Sequence, residues 1–141
     1  RNVEIKAAIV AADERETTGL RALLNFGHTI GHGIENAAGY GTLLHGEAIS
    51  LGLAAAIRLS VAKAGLAESE AAAVREALAA FRLPLQLPRS ISTERVMEAL
   101  KTDKKFSEGA IRFVLTPRLG EAFVSSDVTE EEIRASVEDL R

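Results

Sequence analysis

His28, His32 and His45 are the only histidines in the chain, and they fall within one short segment. The spacing of four residues places His28 and His32 on one face of a helix, one turn apart. His45 follows a Gly-containing connection at residues 37–42 and is predicted to open a second helix. If that helix folds back on the first, three neutral imidazoles converge, and this arrangement suits a divalent metal ion.

The segment around these histidines is unusually rich in glycine for a helix. Gly27, Gly31 and Gly33 lie within seven residues, and each costs about 1 kcal/mol relative to alanine in a helix interior. Their repeated presence predicts that another backbone or a ligand comes close to the chain there.

Four polar residues of this segment, Arg21, Asn25, His28 and His32, follow one another at helical spacing. On one continuous helix they would form a polar stripe, which is a candidate ligand-facing surface. The alternative is a helix hairpin whose histidines are partly buried and hydrogen-bonded. The HxxxH spacing alone does not decide between these two interpretations.

Composition favours one helical globular domain. The 141 residues are 47% hydrophobic, 26% charged and only 4% aromatic, and the abundant alanine and leucine favour helices over a β-sandwich. The net charge is −3 without a basic block, so nucleic acid is not an expected partner. The longest apolar run, near residues 51–57, is too short to cross a bilayer. The absence of cysteine excludes thiolate metal ligands and agrees with a cytoplasmic location.

Periodicity and capping signals place the elements that must position the histidines. The predicted fold class is mainly α, a helical bundle with a short β-hairpin near the C-terminus. Helices are predicted over Val3–Asp13, from Arg21 to about Ala37, over His45–Ala64 with Gly65 as C-cap, over Glu68–Arg82, from Ser92 or Thr93 to about Lys101, and after a Thr129 N-cap that pairs with Glu132. The strand-like runs of the hairpin are Ile111–Leu115, with one face expected to pack on helices, and Glu121–Val124.

Charged residues outside this segment allow more than one interpretation. Lys6 lies among apolar neighbours, so its stem can pack while its ammonium group reaches water. By composition, the DKK triplet at residues 103–105 is a solvated charge cluster. Glu47 follows His45 closely and is interpreted as a favourable helix N-terminal charge or a residue supporting a ligand, ahead of direct metal ligation.

The segments LNFGHTIGHGIE and LLHGEAISLG closely resemble the hallmark sequence of 3-dehydroquinate synthase. IKAAIVAADERE upstream and DKKFSEGAIRFVLTPRLGEAFV downstream extend this resemblance, in the family's order, through most of the chain. The resemblance covers the C-terminal, mainly helical domain of a family within the sugar phosphate cyclase superfamily. It implies that residues 1–141 form a single metal- and substrate-binding domain, and that the family's N-terminal NAD-binding domain is absent from this chain.

The resemblance also assigns the metal ligands. The first histidine of GHTIGH, His28, and the histidine of LHGE, His45, match the two zinc ligands of this domain. The family completes the site with a glutamate of the preceding domain, and another divalent metal such as cobalt can replace zinc. The second histidine of GHTIGH, His32, matches a residue that contacts the substrate.

Further substrate contacts are implied for Lys6, Arg21 and Asn25, and the DKK motif implies Lys104, with Lys105 as the alternative. The loop DERETTGLR is slightly longer than the family's usual DERE-x-G-L-R.

The implied activity is that of a carbon–oxygen lyase of the shikimate pathway. It converts 3-deoxy-D-arabino-heptulosonate 7-phosphate to 3-dehydroquinate and phosphate, with zinc and with NAD bound mainly by the domain absent from this chain. The resemblance further implies a small sugar phosphate substrate, a homodimer in the full-length protein, and no nucleic acid or membrane partner. The chain alone is expected to be inactive. Alternatives are another sugar phosphate cyclase, such as a 2-deoxy-scyllo-inosose synthase, or a non-catalytic helical interaction module.

Overall fold

The computed structural model describes residues 1–14, 20–39, 41–102 and 112–141. In these ranges the helices are α1 (Asn2–Ala12), a 3₁₀ helix (Arg21–Asn25), α2 (His28–Ala38), α3 (His45–Ala64), α4 (Glu68–Ala80), α5 (Thr93–Lys101) and α6 (Glu130–Glu138). Strands β1 (Phe113–Arg118) and β2 (Glu121–Ser125) pair as an antiparallel hairpin. The predicted fold class, mainly α with a β-hairpin near the C-terminus, is confirmed.

Helix α3 forms the centre of the bundle. Its buried residues include Ala48 and Leu51 on one side and Ser50 and Ile57 on the opposite side, so they are not confined to one narrow stripe. It packs against α2, α4, α6 and β1, which explains why its sequence is apolar nearly all round. Its bounds are those predicted, with Gly65 as the C-cap. No helix in the described ranges is long and apolar enough to span a membrane.

Helices α2 and α3 approach so closely that their backbones touch. A Cβ atom added to Gly52 would overlap the carbonyl oxygen of Gly27 and would lie 2.6 Å from the amide nitrogen of Gly31. These separations are below van der Waals contact, so only a residue without Cβ fits at this crossing. The prediction that a backbone comes close is confirmed for Gly27 and Gly31, and the backbone is that of α3, whereas a Cβ atom at Gly33 would meet the Leu100 side chain at 2.7 Å.

The predicted continuous helix from Arg21 to about Ala37 is wrong. Phe26 is extended, with ψ 124°, and Gly27 takes a left-handed φ of 75°. Arg21 and Asn25 therefore lie on the 3₁₀ helix, whereas His28 begins α2. A side chain at Gly27 would be strained in this conformation and would also meet Leu53 N at 2.8 Å. The break is thus imposed by the contact with α3, and the single polar stripe does not form.

The C-terminal elements close the core over α3. The hairpin pairs Phe113 with Ser125 and Leu115 with Phe123. Phe113 and Leu115 are buried in the core cluster that contains α3 residues, so the expectation that one face of β1 packs on helices is confirmed. Val114, on the other face, is covered as well. The predicted first residue of this strand, Ile111, lies outside the described residues.

Capping side chains fix the ends of α5 and α6 as predicted. Ser92 caps α5 by accepting a hydrogen bond from Arg95 N at 3.2 Å. Thr129 and Glu132 form a reciprocal capping box at α6, with distances of 2.8 and 3.2 Å. Helix α4 ends at Ala80, two residues before the predicted end.

Candidate metal centre

The three histidine rings converge where α2 and α3 meet. The ring centroids of His28 and His32 are 5.5 Å apart, and His45 lies 6.0 Å from the former and 5.8 Å from the latter. One nitrogen from each ring lies within 4.8 Å of those of the other two. The predicted convergence is therefore confirmed. His28 is half-buried while the other two rings are exposed, so the cluster opens to solvent.

Acceptors at Nδ1 orient the rings of His28 and His45. The Nδ1 atom of His28 lies 3.2 Å from the carbonyl oxygen of Phe26. The Nδ1 atom of His45 lies 3.1 and 3.3 Å from the carboxylate oxygens of Glu35. Carbonyl and carboxylate oxygens only accept, so in each neutral ring the proton is assigned to Nδ1. The Nε2 atoms are then unprotonated, which is the form that binds a metal.

The donor set of this cluster fits a borderline divalent cation such as zinc. Imidazole nitrogens bind zinc at about 2.0–2.1 Å, so a tetrahedral ion spaces two of them roughly 3.4 Å apart. Nitrogens that lie within 4.8 Å of one another reach that spacing by small ring rotations. The exposed side of the cluster leaves room for a substrate oxygen or a further ligand.

The carboxylate that contacts His45 is that of Glu35, which sequence reasoning did not single out. The signal was present, because Glu35 follows His28 by seven residues and His32 by three, and this spacing places all three on one face of α2. Glu47 accepts a hydrogen bond from Leu44 N at 2.8 Å. This contact confirms the interpretation of Glu47 as a favourable charge at the N-terminus of α3.

Arg21 and Asn25 lie just before α2, on the 3₁₀ helix that precedes it. The buried carboxylate of Asp13 accepts a hydrogen bond from Arg21 N at 3.1 Å. The Arg21 guanidinium donates to the carbonyl oxygen of Glu14 at 3.4 Å. The end of α1 thus anchors the start of the 3₁₀ helix, and Asn25 is exposed at its end. The roles of these residues toward a substrate stay predictions.

The remaining predicted substrate contacts are lysines, and only Lys6 lies within the described residues. Lys6 is exposed on α1, a helix without any buried residue. Lys104 and its alternative Lys105 lie outside the described residues. Nothing in the described ranges therefore tests a substrate role for these lysines.

A cleft of about 230 Å³ opens between residues of α2 and the end of α5. Its walls include His32 and Asn36 from α2 and Thr102 after α5. Thr102 immediately precedes the DKK triplet in the sequence. His32 therefore lies between the histidine cluster on one side and this cleft on the other.

Fold and site together define a helical domain in which two helices bring three imidazoles to one open cluster that could hold a metal ion. A family model described as 3-dehydroquinate synthase C-terminal matches residues 1–106. The chain belongs to this family.

Curated relatives named 3-dehydroquinate synthase agree with this assignment. The protein from Methylacidiphilum infernorum (isolate V4) is 44% identical over 133 residues, which cover 94% of this chain and 37% of that protein. The protein from Nitrosomonas europaea is 51% identical over 122 residues, which cover 86% of this chain and 32% of that protein. The chain thus spans less than two fifths of the length of these relatives.

Solved structures of sugar cyclases share the fold. A 2-epi-5-epi-valiolone synthase from Streptomyces hygroscopicus subsp. jinggangensis 5008, solved with NAD+ and Zn2+, is 28% identical with a TM-score of 0.74, and the match covers 96% of this chain and 38% of that one. A 2-deoxy-scyllo-inosose synthase, solved with carbaglucose-6-phosphate, NAD+ and Co2+, has a TM-score of 0.82 at 23% identity. This match covers 99% of this chain and 39% of that one.

Proposed function

We propose that this chain is the metal- and substrate-binding domain of a 3-dehydroquinate synthase. The whole enzyme would be a carbon–oxygen lyase that converts 3-deoxy-D-arabino-heptulosonate 7-phosphate to 3-dehydroquinate and phosphate, with NAD bound mainly outside this chain. The observation that carries the proposal is the convergence of three imidazoles in a member of this family. Relatives of that name at 44% and 51% identity support the choice of substrate.

His28 and His45 are the proposed ligands of a divalent ion, zinc or cobalt, through their Nε2 atoms. Their Nδ1 atoms face acceptors, which leaves Nε2 free for a metal. The presence of zinc in the valiolone synthase structure supports this choice of metal. A bound divalent ion supplies Lewis acidity toward substrate oxygens.

His32 is the proposed partner of the substrate rather than of the metal. It lies in the wall of the cleft between α2 and α5, where an imidazole can donate a hydrogen bond to an anionic group or exchange a proton with it. It stands one turn after His28, so a substrate bound at the metal lies within its reach.

The other proposed contacts match the charges of the substrate. A guanidinium at Arg21 and ammonium groups at Lys6 and Lys104, or alternatively Lys105, suit a carboxylate and a phosphate. The amide of Asn25 suits a hydroxyl or the carboxylate. The backbone of Arg21 is held by the buried Asp13, which limits the positions open to this guanidinium.

A second candidate function is the cyclisation of a different sugar phosphate. The likeness to 2-epi-5-epi-valiolone synthase at 28% identity favours it. The two candidates share the histidine cluster and differ in the substrate that the whole enzyme accepts.

The test is phosphate release by a full-length protein that carries this chain, measured with NAD and with each sugar phosphate in turn. We expect release from the heptulosonate phosphate, stoichiometric zinc in the purified protein, and loss of both in the His28→Ala and His45→Ala variants. The 141-residue chain alone is expected to release no phosphate. Release from another sugar phosphate only would favour the second candidate. A folded full-length protein without metal and without release would overturn both.

A further inference from the structure

The carboxylate of Glu35 faces the ring of His45 from the neighbouring helix. Both of its oxygens approach the same nitrogen, Nδ1, at 3.1 and 3.3 Å. Glu35 lies near the end of α2 and His45 is the first residue of α3. The contact therefore joins the two helices where the chain turns back, beside the other two histidines.

This contact contributes little to the stability of the fold. The side chains of Glu35 and His45 are 39% and 57% exposed, and ion pairs with that exposure are worth about 0–1 kcal/mol. Its main physical effect is on the imidazole itself. A carboxylate at Nδ1 accepts a hydrogen bond from the ring N–H, fixes the orientation of the ring and makes Nε2 a stronger electron-pair donor to a cation.

We infer that Glu35 is a positioning residue of the metal centre, because it holds His45 as the tautomer that presents Nε2 to a divalent ion. The inference rests on the proposed function, which makes His45 a ligand. Glu35 acts through His45 and is not itself a ligand. In the described ranges, the group of atoms close enough to share an ion consists of the three imidazoles.

His28 provides an internal comparison for this role. Its Nδ1 atom faces the carbonyl oxygen of Phe26 at 3.2 Å, and a backbone acceptor is unaffected when Glu35 is replaced. A substitution of Glu35 should therefore release the ring of His45 and leave that of His28 in place.

Side-chain NMR of the metal-free 141-residue chain tests the tautomer without reference to activity. The three histidines give three sets of ring nitrogen signals, which His28→Gln and His32→Gln assign. At alkaline pH, where imidazole is neutral, we expect His45 to carry its proton on Nδ1 in the wild type. Glu35→Ala should shift His45 toward the Nε2–H form, and His28 should stay unchanged. A wild-type His45 with its proton on Nε2, or one that does not respond to Glu35→Ala, would overturn the inference.

Zinc competition with a chromophoric chelator, in a full-length protein that carries this chain, measures the consequence for metal affinity, and the absorption spectrum of bound Co2+ reports the coordination geometry. Glu35→Ala should weaken zinc binding about 10- to 100-fold and alter the Co2+ spectrum, and the unfolding midpoint should stay unchanged. Glu35→Gln should fall in between, since its amide oxygen can still accept a hydrogen bond from the Nδ1–H group. The matched control is Glu76→Ala, which removes the same charge from an exposed position on α4.

The combined results separate this inference from the proposed function. A tautomer shift without zinc binding in any variant would count against the metal site while leaving the orientation of His45 by Glu35 established. Zinc binding that Glu35→Ala leaves at full strength would overturn the positioning role while leaving the metal site in place.

Discussion

Gly52 of α3 lies directly against Gly27, the residue that precedes α2. A Cβ atom at Gly52 would overlap the carbonyl oxygen of Gly27. His28 follows Gly27 immediately, and His45 opens the helix to which Gly52 belongs. The close contact therefore sets how near the proposed ligands of one helix come to those of the other.

Replacement of Gly52 by alanine should destabilise the fold. The added methyl group forces the two backbones apart, and overpacking of this kind costs roughly 1–3 kcal/mol. We expect a lower midpoint of urea unfolding, measured by circular dichroism, and larger distances between the imidazoles, seen as weaker zinc binding.

Gly46→Ala is the matched control on the same helix. No atom of the described residues lies within 4 Å of a Cβ atom at Gly46, so this change should be neutral or should add up to about 1 kcal/mol from helix propensity. Equal midpoints for the Gly52→Ala variant and the wild type would contradict the close backbone contact.

Asp13 should matter more for stability than the neighbouring Glu14. Its buried carboxylate accepts a hydrogen bond from Arg21 N, and loss of a buried acceptor costs about 1–3 kcal/mol. Asp13→Ala should therefore lower the unfolding midpoint and speed hydrogen exchange at the Arg21 amide. Glu14 is exposed and meets Arg21 through its backbone carbonyl, so Glu14→Ala should change neither measurement. Comparable effects of the two variants would refute the anchoring role of Asp13.

Glu132 should make the stability of the chain depend on acidic pH. The Thr129 backbone N–H and the Lys63 ammonium lower the pKa of its carboxyl below the usual 4.5. A lowered folded-state pKa gives stability that is fully present above pH 4.5 and is lost as pH falls through the folded-state value. The free energy of unfolding should thus differ between wild type and Glu132→Gln near neutral pH, and the difference should shrink well below pH 4.5.

Urea titrations of both proteins at the two pH values measure this difference. Glu131→Gln is the control, because it removes an exposed charge from the same first turn of α6. A difference between wild type and Glu132→Gln that does not change with pH would show that the ionised carboxylate is not the stabilising group.

Measurements of zinc binding should distinguish the role of His32 from the role of His28 and His45. If His32 contacts the substrate, His32→Ala in the full-length protein should keep zinc affinity within a few-fold and abolish turnover. His28→Ala and His45→Ala should each weaken zinc by more than about 100-fold, since a lost ligand costs more than a lost supporting contact. Equal losses in all three variants would instead indicate a site built from three histidines.

Local signals predicted most of the elements because they act within a few residues. The capping box of Thr129 and Glu132 and the bounds of α3 were predicted correctly, since each depends on neighbouring side chains and backbone groups. The break at Gly27 and the burial of Val114 were missed. Both result from packing against elements that are distant in the sequence, and local periodicity carries no information on such packing.

The sequence by itself determined that His28 and His32 share a helix face, that the glycines around them admit a close backbone or ligand, and to which family the chain is related. It could not show that Glu35 faces His45, because this contact forms only when α3 folds back along α2. Tertiary structure also decided how close the two helices lie, through the contact of Gly52 with Gly27. The reason is physical: spacing along a helix fixes directions within that helix, whereas the distance between two helices depends on the atoms that meet between them.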